Sequence, residues 1–132
     1  MARSFGAQNA GTGSATLSAS PTAATTAGDL LVAVIRDRNA SALTLVSTVA
    51  DSNAGDHWLK ATAIAQGSQA DGEIWYVANA ASLLTSQSVT VTVGGTSAST
   101  SAIAFTVLDV TGASTSPLDV TFGMSGNTQP AT

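Results

Sequence analysis

The stretch SVTVTV at residues 88–93 alternates valine with a hydroxylated residue. Successive side chains of an extended strand point to opposite faces, so this period gives the segment two unlike sides. Val89, Val91 and Val93 line one face, and Ser88, Thr90 and Thr92 line the other. That division suits a strand packed on a core on one side and wetted on the other. A helix of the same residues would scatter its valines around the axis, so the segment points to an antiparallel sheet.

The same period recurs in short runs punctuated by Gly, Asn, Asp, Pro and Ser. AIAFTVLDV (102–110) and DLLVAVIR (29–36) are apolar on both faces and are expected at the centre of a sheet. SFGAQ (4–8), SATLSAS (14–20), LTLVSTVA (43–50), HWLKATAIA (57–65), EIWYVA (73–78) and LDVTFGM (118–124) bring the count to about nine strands. NAASLLT (79–85) leaves room for one helical turn. Many short strands without a fixed-period repeat predict an all-β chain of two packed antiparallel sheets, a β-sandwich of jelly-roll or immunoglobulin-like type. The expected organisation is a polar N-terminal arm over 1–12, a sandwich domain over 13–124 and an extended C-terminal tail over 125–132.

Composition excludes several function classes. Ala, Ser and Thr number 25, 17 and 19 of 132 residues, and only 9% of residues are charged. Eight acids against four bases give a net charge of -4 with no basic stripe, so nucleic acid is not an expected partner. No cysteine is present, which removes disulfides and thiol chemistry from consideration. The longest apolar run, LLVAVI at 30–35, is too short for a membrane-spanning helix, and no apolar region follows the N-terminus as a signal peptide requires. Neither a membrane partner nor a cofactor is expected.

DSNAGDHWLK (51–60) holds the only histidine and one of the two tryptophans. Asp51, Asn53 and Asp56 imitate the opening of a calcium loop, but Gly55 stands where a fifth-position oxygen ligand belongs and Thr62 where a bidentate glutamate belongs. As a turn every residue fits: Asp51 bonds a backbone amide two residues on, Asn53 and Gly55 supply permissive backbone, and Trp58 opens the next strand. His57 has no second imidazole to share a metal with. Neither a G-x-S-x-G elbow nor a facing carboxylate pair is readable, so no catalytic or metal-ligating residue is assigned and the chain is read as no enzyme.

Candidate partner or ligand contacts are Arg36, Arg38, Trp75 and Tyr76. Arg36 and Arg38 close a central strand and hold half the positive charge, and arginine's planar fork suits an interface better than it suits surface stability. Trp75 and Tyr76 are adjacent on one strand and must face opposite ways, so at most one belongs to the core. The other is available to a partner or to a sugar ring. Glu73 shares Trp75's face and is expected to be solvated or to accept sugar hydroxyls. Gly72 reads as a turn separating it from Asp71.

Five segments in order, TAGDLLVAVIRDR (26–38), VADSNAGDHW (49–58), GEIWYVAN (72–79), SVTVTV (88–93) and VLDVTGASTSPLDV (107–120), resemble a β-sandwich module of secreted bacterial proteins and tailed-bacteriophage virion proteins. The resemblance runs from about Ser14 to Gly126 and rests on strand and turn signatures, with no catalytic residue among them. It implies a non-enzymatic surface module. Related modules continue for further strands after the PLDV segment, so a short sandwich, completion by a neighbouring copy or a docking tail is expected here. With no signal peptide read, the expectation is an outer capsid decoration or accessory protein on the virion surface, with capsid proteins and copies of itself as partners and the terminal arms as clamps. The alternatives are an extracellular carbohydrate-binding or adhesive module, with surface glycans as partners, and a subunit of an extracellular filament.

Overall fold

The structure is a computed structural model that describes residues 2–9, 14–41, 44–67, 69–95 and 98–118. Among these residues lie eight strands: β1 (Ala2–Gln8), β2 (Thr16–Ala19), β3 (Leu30–Arg38), β4 (Leu45–Asp51), β5 (Leu59–Gln66), β6 (Ala70–Val77), β7 (Val89–Gly94) and β8 (Ala102–Val110). They form a five-stranded sheet in the order β1-β8-β3-β6-β5 and a three-stranded sheet in the order β2-β7-β4, with every neighbouring pair antiparallel. The two-sheet sandwich is the fold expected from the alternation, and β8 and β3 hold the interior positions expected of strands apolar on both faces.

The inner faces meet in one core. β3 contributes Leu31, Ala33 and Ile35, and β8 contributes Ile103, Phe105 and Val107, at the alternate positions a pleated strand dictates. Val89, Val91 and Val93 of β7 oppose them from the smaller sheet. Each of these side chains larger than alanine stabilises the fold by about 1.5–3 kcal/mol on burial.

Residues 4–8, read both as a strand and as part of a polar arm, are the body of β1, with Phe5 buried. The reason is pairing: β1 hydrogen-bonds β8 from Ala2 to Gln8, so these residues belong to the sandwich. The strand read at 118–124 and the tail at 125–132 lie outside the described residues apart from Leu118.

No helical turn forms at 79–85. Asn79 adopts a left-handed backbone (φ 55°), and the segment beyond it runs beside residues 25–29. Ala80 N donates to Asp29 O (2.9 Å), Gly28 N to Ala80 O (2.9 Å), Thr25 N to Leu83 O (2.9 Å) and Leu83 N to Thr25 Oγ1 (2.8 Å). Leu83 is thereby fully buried although it lies on no strand.

Candidate functional site

Cross-strand register turns the outer face of the five-stranded sheet into a map. One row reads Ser4, Leu108, Val32, Tyr76, Leu59 from β1 to β5. The next reads Gly6, Thr106, Val34, Ile74, Thr62, and the third Gln8, Ala104, Arg36, Gly72, Ile64. Beyond it Ala102, Arg38 and Ala70 stand side by side. Val34, Ile74, Leu108 and Leu59 are exposed large apolar residues. The face is therefore apolar towards one end and cationic at the other.

Arg36 and Arg38 are both exposed and point outward, because Asp37 between them takes the inward position. Arg36 is flanked across the sheet by Ala104 and Gly72, and Arg38 by Ala102 and Ala70. Those neighbours offer no carboxylate, and neither arginine has an ion pair among the described residues. The small side chains of β8 leave a trough between β1 and β3. Its wider part, about 610 Å³, is lined by Gly6, Gln8, Val34, Arg36, Ala104 and Thr106. A further 240 Å³ continues past Gln8, Asn9, Arg36, Arg38 and Ala102.

The other two cations are committed to buried carboxylates. Arg3 bonds Asp109 (3.1 Å) and Lys60 bonds Glu73 (2.8 Å). Five of the eight acidic residues, Asp29, Asp37, Asp71, Glu73 and Asp109, are at most 3% exposed. The formal charge of -4 thus misdescribes the outer face, whose groove displays two arginines while most carboxylates are inside. Burial, with Asp29 beside it, raises the pKa of Asp109 while Arg3 pulls the other way. Burial first, then Glu73 beside it, pushes Asp71 up to about 7 against the opposing pull of Lys60.

Trp75 and Tyr76 do face opposite ways. Trp75 is half-buried on the inner side and packs against the core. Its Nε1 donates to Glu73 Oε2 (2.6 Å), and Lys60 Nζ lies 5.1 Å from its ring centroid. Glu73 is not solvated: it is 2% exposed and also accepts from Val46 N of β4 (3.3 Å), bonding the larger sheet to the smaller. The strand-end expectation fails because β6 begins at Ala70, so Gly72 is mid-strand and Asp71, Glu73 and Trp75 share the inner face. Tyr76 is half-buried on the outer face. With Leu30, Val32, Ile74, Pro117 and Leu118 it lines a small apolar pocket of about 130 Å³.

DSNAGDHWLK forms a turn whose polar groups are engaged locally. Asn53 N donates to Asp51 Oδ1 (2.7 Å), and Trp58 Nε1 donates to Asp51 Oδ2 (2.7 Å). Asp56 accepts Ala81 N on both oxygens (2.9 and 3.1 Å), and Asn53 Nδ2 donates to Ser82 O (3.3 Å). The turn is thus stitched to the 79–87 segment, and burial raises the pKa of Asp56. Trp58 is buried just before β5 rather than on it, and His57 is exposed. Among the described residues no group of three or more His, Asp or Glu side chains is placed to hold a metal ion.

A second polar cluster, which sequence reading did not bring out, closes the end of the sandwich beneath the arginines. Thr44 Oγ1 donates to Asp37 Oδ2 and lies 2.9 Å from Ser101 Oγ, while Asn39 Nδ2 donates to Ser101 Oγ (3.3 Å) and Thr100 Oγ1 (3.1 Å). The period-two parity of Asp37 with Ile35 and Ala33 was the available signal for its inward position.

No family model, curated protein or solved structure matches the chain.

Proposed function

We propose that the chain is a non-enzymatic structural protein of a bacteriophage particle, an outer capsid decoration or accessory protein that docks through the outer face of its five-stranded sheet. The observation carrying this reading is the composition of that face, where Val34, Ile74 and Leu108 are exposed beside two arginines that have no ion pair among the described residues. A grooved sheet face with exposed apolar residues towards one end and two arginines at the other suits a partner of complementary shape and charge. Repeated over many copies on a shell, weak contacts of this size add to a stable association. The non-enzymatic part rests on the engagement of Asp51, Asp56, Glu73 and Asp109 in protein contacts.

The carbohydrate-binding alternative draws less support. Lys60 lies over the ring of Trp75, so a sugar stacking there must displace the ammonium, and Tyr76 is the remaining candidate.

The test is to band particles from a lysate of the phage that encodes the chain and quantify the protein by mass spectrometry. A fixed stoichiometry to the major shell protein, restored when purified protein is added back to stripped particles, is the expected result. Absence from banded particles overturns the reading.

A further inference from the structure

We propose that the groove along β8 binds an extended acidic segment of a partner protein, whose carboxylates two residues apart meet Arg36 and Arg38. This rests on the reading of the outer sheet face as the docking surface and names the partner's chemistry.

Four observations converge. Arg36 and Arg38 are two residues apart on one face of β3, so their stems are separated by about 6.5–7 Å, the spacing of alternate residues in an extended chain. An extended ligand running along β8 presents carboxylates at that same interval, and each planar guanidinium can engage one in bidentate fashion. The floor is cut low, with Ala102 and Ala104 on β8 and, one row further on, Gly6 of β1 opposite Thr106. A ligand backbone can therefore approach the sheet while its side chains reach the arginines.

The third observation is the absence of internal competition. Arg3 and Lys60 have carboxylate partners, whereas Arg36 and Arg38 have no ion pair among the described residues. Alanine and glycine occupy the cross-strand positions where a carboxylate would otherwise stand. The fourth is selectivity by charge. Asp37, the acid nearest in sequence, is 1% exposed and points into the core, so it does not face a ligand in the groove. A pair of arginines matches a short acidic segment. It is too few for the phosphate run of a nucleic acid, which demands an extended basic surface.

The test uses an acetylated peptide of alternating aspartate and threonine, its asparagine counterpart and a single-stranded oligothymidylate. Each is titrated into the full chain at low and high salt, with amide shifts followed by NMR. The expected result is that only the aspartate peptide binds, shifting amides of β1, β8 and β3 and weakening with salt. The R36Q/R38Q variant, checked for unchanged circular dichroism, should bind it at least about tenfold more weakly. Equal binding of the asparagine peptide, preference for the oligothymidylate, or indifference to R36Q/R38Q overturns the proposal.

A parallel arm separates this from the docking reading. Thr106→Trp places a large ring on the groove floor, and its association with banded particles is compared with that of R36Q/R38Q. Particle binding lost in T106W but retained in R36Q/R38Q rejects the acidic partner and keeps the docking face. Retention in both rejects both.

Discussion

Asp37 and Asp71 stand directly opposite each other on β3 and β6, facing the core, with 1% and 3% of their surface exposed. Like charges in that position repel, and burial raises the energy of each further. Asp37 Oδ2 accepts from Thr44, but among the described residues Asp37 Oδ1 and both oxygens of Asp71 have no hydrogen-bond partner. The arrangement is tolerable because burial and Glu73 raise Asp71 to about 7, so it keeps its proton over much of the ordinary pH range.

The fold should lose stability as pH rises from about 4 to about 7. Asp71 titrates near 3.8 when unfolded and near 7 when folded, so between those values the folded state binds the extra proton. Its contribution to stability is complete below about pH 4, declines as pH rises and is gone above about pH 7. Asp109 and Asp56 are raised too and act with the same sign. Urea unfolding between pH 4 and 8 should show this decline, and Asp71→Asn should reduce its slope by about one proton. An unchanged slope in the variant would remove Asp71 as its source.

These buried acids were the least legible part of the sequence. Alternation in SVTVTV, AIAFTVLDV and DLLVAVIR carries the fold because an apolar side chain needs no specific partner to be buried, so period two alone marks the inward set even though Val34 and Leu108 stay outside. A carboxylate's position is conditional on partners from distant strands, such as Val46 N for Glu73 or Arg3 for Asp109. Gly72 misled in the same way. Glycine is permissive of turns, yet here it sits mid-strand between Arg36 and Ile64, and only pairing decides that. Parity alone would have served better, since Asp71, Glu73, Trp75 and Val77 recur at period two.

Lys60 links charge and packing, bonding Glu73 while covering Trp75. Lys60→Ala should therefore cost about 1–2 kcal/mol, less than a fully buried pair because the Lys60 side chain is 37% exposed. Losing the cation also removes a pull that lowers Asp71, so the pH-dependent decline should extend to higher pH. In a Trp58→Phe background, Trp75 emission should change more in Lys60→Ala than in Lys60→Met, whose stem still covers the ring. Equal emission in the two variants would contradict the contact.

Leu83 and Leu84 are adjacent residues in the same irregular segment with opposite environments, fully buried and 55% exposed. Leu83→Ala should cost about 2–5 kcal/mol, as a core strand residue would, because it opens a cavity between the sheets. Leu84→Ala should stay within about 0.5 kcal/mol of the parent. Comparable denaturation midpoints for the two would mean that the 79–87 segment is not packed as described.

Gly6 tests how tightly β1 is joined to β8. A Cβ built on it collides with the carbonyl oxygen of Phe105, and backbone cannot yield as a flexible side chain can. Gly6→Ala must therefore move β1 away from β8, although alanine normally favours an ordered chain over glycine by about 0.4–1 kcal/mol where its conformation is compatible. The net effect should be destabilising. Because β1 is an edge strand, the disturbance should centre on Ala2–Gln8 and β8 and leave β2, β7 and β4 protected in hydrogen exchange. A variant as stable as the parent, with β1 amides still protected, would show that the close approach at Phe105 is not a constraint on the strand.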